Sequence, residues 1–170
     1  MSAKTKAVAF ELSIPTTDGE FLARYSERGL CELNFPQPSK RTKGAVHKTQ
    51  VPAHVQHWHE QTLKALAAAL AGETPANLPP LDLSSGTEFQ QQVWRALLKI
   101  DCGRTLSYGE VAAAIGNPKA LRAVGGACGA NPVPVFVPCH RVLAANHAIG
   151  GFSSGLDWKR KLLAREGAHF

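Results

Sequence analysis

A chain of 170 residues, 44% of them apolar, is long enough to bury the core of one domain or of two small ones. It has no run of ~18 apolar residues that could span a membrane, no N-terminal apolar segment typical of a secretory signal, and four cysteines without the spacing of a zinc knuckle or a disulfide framework. We therefore expect a reduced, cytoplasmic protein, and its net charge of +6 leaves open either contact with a polyanion or an ordinary basic surface.

The first part of the chain alternates apolar and polar residues, as half-buried strands do. Three such segments stand before residue 36, at Ala7–Ser13, Glu20–Tyr25 and Gly29–Phe35. Turns that end in glycine separate them, which predicts a small antiparallel meander. Residues 36–48 are polar and basic and indicate a loop. Residues 52–71 space their apolar side chains as a helix does, and Gly72 is its predicted stop.

Three histidines, His54, His57 and His59, open this predicted helix and suggest a metal site. Residues two apart cannot share a helix face, however, and no cysteine lies close enough in sequence to complete a site. We predict no metal here and leave the function of these histidines open.

The stretch from residue 74 to residue 86 is rich in Pro and Ser, which is typical of a linker. We therefore predict an α+β protein of two domains. Residues 1–83 form a small α/β domain with antiparallel strands, including the linker. Residues 84–170 form a mainly helical domain.

The second domain begins with an amphipathic helix over residues 87–98, capped by Thr87 or by Ser85. Ser107 and Glu110 form a capping box that opens a short helix to about residue 115. Asn117 is then the predicted N-cap, with Pro118 at the first position, of a helix that runs to about residue 129. Two helices joined by a short turn indicate a helix-turn-helix, and a purely structural helical hairpin is the alternative.

Charge supports contact with nucleic acid in this half of the chain. Residues 84–170 hold ten Lys and Arg against five Asp and Glu, whereas residues 1–83 hold nine against eight. The second helix of the pair also contains Gly125, Gly126 and Gly129, each of which costs about 0.5–1 kcal/mol relative to alanine inside a helix. A glycine-rich face is useful where another molecule must approach the backbone closely. Tight helix packing also explains glycines, but it does not explain Arg122 one turn before them.

The most informative stretch of the chain is a cysteine next to a histidine, Cys139-His140. Three prolines precede it, so the approach is not helical, and the apolar residues between them predict a buried extended segment over residues 133–137. The thiolate is the form of cysteine that attacks, and an imidazole can take its proton, more easily through a water than directly. The alternative is a buried structural cysteine followed by a surface histidine.

The chain ends with a glycine-rich loop, residues 150–155, and a final helix that Ser154 is predicted to cap. Glu166 falls in the last turn of this helix, before Gly167, where the helix dipole disfavours negative charge by about 0.3–1 kcal/mol. A histidine or arginine partner would explain a carboxylate at this position.

These motifs together resemble the O6-alkylguanine-DNA alkyltransferases. The resemblance covers nearly all of residues 84–170. The segments that match are Thr87–Trp94, Ser107–Glu110, Arg122–Gly126, Asn131-Pro132, Val137–Val142 and Leu162–Gly167. It implies a C-terminal domain with a winged helix-turn-helix and an N-terminal domain of mainly structural role. It implies no cofactor. Some relatives have a zinc site in the N-terminal domain, but the cysteine and histidine pattern of that site is absent from this sequence, so we predict no zinc.

The resemblance also implies roles for individual residues. Cys139 is the acceptor thiolate, which takes the alkyl group of O6-alkylguanine, and by the same chemistry of O4-alkylthymine, in double-stranded DNA. His140 deprotonates the thiol through a water, Glu166 orients the imidazole, and Asn131 holds the turn before the active-site segment. Because the thioether has no route back to the thiol, each molecule acts once.

The same resemblance places the recognition helix in the minor groove. There Arg122 fills the place of the flipped base, and Tyr108 presses on the 3′ phosphate and protonates guanine N3. The remaining contacts are assigned to Lys119, Gly125 and Gly126 on the DNA side and to Val142, Phe152, Ser153 and Ser154 in the base pocket. A monomer is expected, with cooperative assembly on DNA left open. Phe152 stands where the family commonly has tyrosine and Ser154 where it has glycine, so the resemblance does not indicate which alkyl groups are accepted.

Three other functions are compatible with parts of the sequence. A non-catalytic sensor of alkylated DNA would lack the nucleophile, which Cys139 supplies here. A helix-turn-helix transcription regulator would bind a specific sequence without thiol chemistry. A cysteine hydrolase would turn over many times and would need an oxyanion hole, for which no motif is present.

Overall fold

The computed structural model describes residues 10–38 and 50–170, and the fold is α+β. The strands are β1 (Phe10–Thr16), β2 (Gly19–Ser26), β3 (Gly29–Asn34), β4 (Leu106–Ser107) and β5 (Val142–Leu143). The helices are α1 (Ala53–Leu70), α2 (Glu88–Leu97), α3 (Tyr108–Ala114), α4 (Leu121–Gly129) and α5 (Leu156–Arg165).

The first three strands form the predicted antiparallel meander, in the order β1-β2-β3. Strand β1 continues to Thr16, beyond the predicted end, and residues 7–9 of the predicted strand lie outside the described residues. Most of the predicted loop, residues 39–48, lies outside them as well. Tight turns pair Thr16 with Gly19 and Ser26 with Gly29, and both glycines have positive φ angles of 117° and 148°. Glycine reaches this region without the steric cost that a Cβ would impose.

Helix α1 follows the prediction closely, and Gly72 ends it with a φ of 81°. The histidines at its start do not form a cluster. His59 pairs through Nδ1 with the hydroxyl of Tyr25 at 2.9 Å, and the His54 ring packs edge-on against Trp58. Within residues 10–38 and 50–170, no three His, Cys, Asp or Glu side chains are grouped so that they could hold a metal ion.

The segment predicted to be a linker is hydrogen-bonded along the outer edge of β3. The backbone N–H of Leu30 donates to Pro80 O, and the N–H of Asp82 donates to Leu30 O, both at 2.8 Å. Asp82 is buried and accepts a hydrogen bond from Ser26. The chain therefore enters its second half along the sheet. The division into domains at residue 83 stays a prediction. One hydrophobic core contains residues from both sides of this boundary.

Two of the four helix caps predicted in the helical half are confirmed, Thr87 at α2 and Ser107 at α3. The Thr87 hydroxyl and the Gln90 side chain form a capping box at α2, and Ser107 and Glu110 form one at α3. The predicted start of α4 was wrong. Asn117 to Ala120 form a turn in which the Ala120 N–H donates to Asn117 O, and the helix begins at Leu121 with Ala120 as N-cap. Pro118 and Lys119 therefore precede the helix.

Two further expectations about the backbone were wrong. Residues 133–137, all buried except Pro134, form a tight turn instead of an extended segment, closed by a 3.0 Å hydrogen bond from Val137 N to Val133 O. Val135 in this turn has a φ of 77°, a rare value for a β-branched residue. At α5, Gly155 occupies the N-cap position and Ser154 makes no capping hydrogen bond.

Aromatic side chains join the sheet to the end of the chain. Phe21, Phe35 and Trp158 pack with ring centroids 4.8–5.6 Å apart, and Phe35 also meets Phe152 edge-on at 5.8 Å. None of the described helices is long and apolar enough to cross a membrane.

Candidate active site

Cys139 begins a single 3₁₀ turn, Cys139–Arg141, which follows the tight turn of residues 133–137 in the chain. Its side chain is buried, with 6% of the residue exposed. Asn131 holds this approach in place, because its amide donates to Val137 O at 2.8 Å and accepts from Val133 N at 3.0 Å. The predicted position of Asn131 at the turn before the active-site segment thus agrees with the geometry.

Next to the thiol, His140 is buried and bonded to Glu166. The His140 Nε2 atom lies 2.8 Å from Glu166 Oε1. Arg141 makes further contacts to the same carboxylate, at 2.9 Å from Nη2 and 3.0 Å from Nε, and its Nη1 donates to Ile100 O. Glu166, at the end of α5, is therefore bound to a histidine and to an arginine, the two kinds of partner that would explain a carboxylate at this position.

The charges of this group follow from its surroundings. Burial raises the pKa of Glu166, but hydrogen bonds from His140 and Arg141 outweigh it and lower the pKa to about 2. Burial lowers the pKa of His140 below its ordinary value, and the neighbouring Glu166 offsets only part of this effect. At neutral pH the site thus contains a carboxylate and a neutral imidazole.

The bond to Glu166 also fixes which nitrogen of His140 is basic. A carboxylate accepts hydrogen bonds, so the Nε2 atom of the neutral ring carries the proton and Nδ1 carries the lone pair. Nδ1 is buried and has no hydrogen-bond partner among the described residues. This nitrogen therefore has a lone pair available to accept a proton, and the residue before it in the chain is Cys139.

The thiol needs such a base. Burial raises the pKa of Cys139 above its ordinary value, although Asn131 and Lys159 oppose this effect. Cys128, on α4, lines the same cavity, and burial raises its pKa to about 12. Of these two neighbouring thiols, only Cys139 adjoins an imidazole, so Cys139 is the one equipped to become a thiolate.

Lys159 is a site residue that the sequence did not reveal. Its side chain is fully buried, and Nζ donates to Val142 O at 2.7 Å and to Gly151 O at 3.0 Å. Both partners are uncharged carbonyls, one just after the active-site turn and one in the glycine-rich loop. Lys159 therefore ties the two backbone segments beside Cys139 together and places a positive charge near the thiol. The only signal in the sequence is its spacing, three residues before the buried Leu162.

A cavity of about 250 Å³ opens above Cys139. Its lining residues come from α3, α4 and the loop before α5, and they are Tyr108, Gly125, Cys128, Gly129, Cys139, Gly151, Phe152 and Ser153. Ser153 closes one side, because its hydroxyl donates to Gly129 O at 3.0 Å. Tyr108, Phe152 and Ser153 are thus brought together as predicted. Ser154 and Val142, also predicted for the pocket, are not among the residues that line this cavity, and the Val142 carbonyl accepts the hydrogen bond from Lys159.

Helix α4 presents the other predicted residues outward. Arg122 and Gly126 are exposed on it, Gly125 faces the cavity, and Lys119 is exposed in the preceding turn. An added Cβ at Gly126 would meet nothing within 4 Å, so tight packing inside the protein does not require this glycine. An exposed basic and glycine-containing face therefore borders the mouth of the cavity that leads to Cys139.

Comparison with known proteins gives a consistent result. Residues 88–168 match the family described as 6-O-methylguanine DNA methyltransferase, DNA binding domain. A methylated-DNA–protein-cysteine methyltransferase of Methanosarcina acetivorans is 42% identical over 156 residues, covering 88% of this chain and 93% of that protein. One of Mycolicibacterium paratuberculosis is 50% identical over 147 residues, covering 83% and 88%. The crystal structure of Mycobacterium tuberculosis OGT in complex with DNA aligns with a TM-score of 0.75 at 39% identity over 92% of each chain.

Proposed function

The chain belongs to the methylated-DNA–protein-cysteine methyltransferase family, and we propose that it repairs DNA by moving the alkyl group of O6-alkylguanine, or of O4-alkylthymine, onto Cys139. One observation carries this proposal. A buried cysteine is followed directly by a neutral histidine, whose basic nitrogen has no hydrogen-bond partner among the described residues and whose second nitrogen is bound to a carboxylate. This arrangement of nucleophile, base and orienting group serves covalent catalysis.

The reaction begins with transfer of the Cys139 proton to His140 Nδ1 through a water. The imidazolium that forms is stabilised by Glu166, which is already ionised and bonded to Nε2. The thiolate attacks the alkyl carbon in line with the bond to O6. The C–O6 bond breaks as the C–S bond forms, and its electron pair stays on the guanine. Protonation of guanine N3 by Tyr108 neutralises the leaving base.

Access to O6 requires the base to leave the duplex, which costs a few kcal/mol. In our proposal α4 enters the minor groove, Gly125 and Gly126 let its backbone approach closely, and Arg122 fills the place of the flipped base. Lys119 contacts the DNA backbone next to the start of the helix. This geometry makes double-stranded DNA the partner and requires only one copy of the chain. It leaves cooperative assembly open.

Backbone groups recognise the flipped guanine. The carbonyls of Cys139 and Val142 and the N–H of Ser153 face its edge, while Phe152 and Ser154 belong to the loop that closes the pocket. The Val142 carbonyl already accepts a hydrogen bond from Lys159 and retains its second lone pair for the base. The product is a thioether, which cannot return to the thiol, so each molecule repairs one lesion. A reduced, cytoplasmic setting suits a protein that depends on a free thiol.

The test is the intact mass of the protein after incubation with duplex DNA that contains one O6-methylguanine. We expect a gain of one methylene that saturates at one per molecule, and no gain for Cys139→Ala. Cys128→Ala is the matched control, because it removes the other thiol of the same cavity and should leave the gain unchanged.

Each rival function predicts a different outcome. Tight binding to the lesion without a mass gain would favour a sensor of alkylated DNA. Sequence-specific binding that ignores the lesion would favour a transcription regulator. Repeated turnover of an ester or amide without DNA would favour a hydrolase.

A further inference from the structure

Helix α4 begins with a leucine that packs little against its own protein. Leu121 is the first residue of α4 and is 48% exposed, more than any other large apolar side chain among the described residues. The side of α4 that faces the core is formed by Val124, Ala127 and Cys128, all of which are buried. A single exposed leucine is ordinary on a protein surface, so its use has to be judged from its position.

The exposed surface of α4 is almost bare of side chains beyond its first two residues. Ala123, Gly126 and Gly129 are exposed on it, and an added Cβ at Gly126 would meet nothing within 4 Å. Leu121 and Arg122 are therefore the two large side chains that project from this surface. Because they are neighbours in sequence, they point in directions about 100° apart around the helix axis.

The direction of Leu121 is given by the residue one turn later. Residues four positions apart lie on the same face of a helix, so Leu121 shares its face with Gly125, and Arg122 shares its face with Gly126. Gly125 lines the cavity above Cys139, whereas Gly126 is exposed and does not line it. Leu121 therefore lies on the cavity side of Arg122, next to the mouth through which a base must pass.

This position is the one that the sugar of a flipped nucleotide would pass. In the proposed function the base enters the cavity while Arg122 fills its place in the duplex, so the deoxyribose that carries the base lies at the cavity mouth. Proteins that bind the minor groove use apolar side chains as wedges that keep bases unstacked. We propose that Leu121 packs against the deoxyribose of the flipped nucleotide and holds it outside the duplex. This inference rests on the proposed function and adds a positioning residue to it.

The contact acts on the flipping equilibrium and leaves the thiol chemistry unchanged. The leucine is exposed in the free protein, and in our proposal it becomes buried only when the nucleotide is outside the stack. An interaction that exists in one of two states favours that state by its whole free energy. Leu121 therefore opposes the return of the base, which restacking would otherwise favour by a few kcal/mol.

The first experiment measures single-turnover rates of methyl transfer at saturating protein from a duplex that contains one O6-methylguanine. Leu121→Ala should slow the transfer by about tenfold, since it removes most of the apolar contact. Leu121→Met retains a long apolar side chain and should stay within about threefold of wild type. The matched control is Leu98→Ala, which truncates a 39% exposed leucine at the end of α2 and should leave the rate unchanged.

The second experiment observes flipping without transfer. A 2-aminopurine placed next to the lesion becomes more fluorescent when its neighbour leaves the stack. In a Cys139→Ala background, saturating protein should give a clear rise in fluorescence. Adding Leu121→Ala should reduce this rise to less than about half, because fewer nucleotides are held outside the duplex. A leucine that served only to support the fold would lower the midpoint of urea unfolding instead, and Leu121→Ala should not.

The outcomes separate this inference from the proposed function. Methyl transfer at the wild-type rate by Leu121→Ala, or an equal loss in Leu98→Ala, would overturn the inference and leave the repair function intact. Slower transfer with an undiminished fluorescence rise would also overturn it, because the effect would then lie after flipping. Absence of methyl transfer by the wild-type protein would instead contradict the repair function itself.

Discussion

Glu166 connects three parts of the site through one carboxylate. It binds His140 Nε2 and the Arg141 guanidinium, and it also accepts from Gly103 N at 3.3 Å, in the turn after α2. The carboxylate therefore sets the orientation and tautomer of the imidazole as well as its charge. A neutral side chain at this position would retain part of the geometry and lose the charge.

We expect Glu166→Gln to slow alkylation of Cys139 by about 100-fold at neutral pH, within the range for loss of general-base support. Without the carboxylate the imidazolium is less stable, so the pKa of His140 falls further and the ring becomes a weaker base. In the wild-type protein the pKa of His140 is already below its ordinary value of 6.5. The rate of alkylation should therefore decline only when the pH is below 6.5, where the imidazole becomes protonated. Single-turnover rates measured against pH test both statements.

Asp157→Asn is the control for this substitution, because Asp157 is a fully exposed carboxylate on the same helix. It should change neither the rate nor its pH dependence. Stability provides a second readout. A carboxyl with a lowered folded pKa stabilises the protein above its unfolded pKa, near 4.5 for Glu166, and this contribution disappears as the pH falls toward about 2. The difference in free energy of unfolding between wild type and Glu166→Gln should therefore shrink over that range. A constant difference would contradict the assigned ionisation.

At the residue scale, chemistry that is unusual for its position could be predicted from sequence. A carboxylate in the last turn of a helix is disfavoured by the helix dipole, which indicated a partner for Glu166, and the structure supplies His140 and Arg141. Lys159 could not be predicted in this way, because a lysine on an amphipathic helix is ordinarily exposed. Its burial depends on two carbonyls that other segments bring to it, and no local pattern reveals them.

At the scale of elements, the ends of α1 and α5 abut. Gly72 follows α1 with a φ of 81°, and a Cβ there would lie 2.0 Å from Arg165 O. Arg165 Nη1 also donates to Leu70 O at 2.9 Å, which satisfies a terminal carbonyl of α1. The position of the last turn of α5, and with it that of Glu166, thus depends on the absence of a side chain at residue 72.

We expect Gly72→Ala to destabilise the protein by about 3 kcal/mol, since it combines a left-handed backbone with overpacking against a main chain. Gly167→Ala is the matched comparison. Gly167 ends α5 with a φ of 70°, but an added Cβ would meet nothing within 4 Å, so only the backbone cost of about 1 kcal/mol should remain. Urea unfolding of the two variants measures the difference. Equal losses would show that the contact between the helix ends contributes nothing.

Elements defined by local interactions were predicted well, and those defined by their surroundings were not. The confirmed caps Thr87 and Ser107 interact with residues three positions along the chain, so the sequence contains the whole motif. The start of α4 depends on a turn that closes from Ala120 to Asn117, and this turn displaced the expected cap. The tight turn of residues 133–137 depends on Asn131, whose side-chain amide is hydrogen-bonded to Val133 N and to Val137 O.

At the scale of the whole molecule, the two halves are joined by contacts far apart in sequence. Asp18 in the β1–β2 turn forms a bidentate pair with Arg165 on α5, at 2.7 and 2.9 Å. Trp158 packs against Phe21 and Phe35 of the sheet. Sequence patterns could predict a strand meander and a helical half, but not how the sheet meets α5.

These contacts predict cooperative unfolding. A linker between independent domains would allow two transitions, whereas one hydrophobic core that includes residues from β2, α2, α4 and α5 should be lost at once. We expect urea unfolding curves measured by far-ultraviolet circular dichroism and by tryptophan fluorescence to coincide. Phe35→Ala removes the ring between Trp158 and Phe152, so it should lower the midpoint. Two transitions in the wild-type protein would mean that the halves fold independently. The boundary at residue 83 would then separate two units that fold independently.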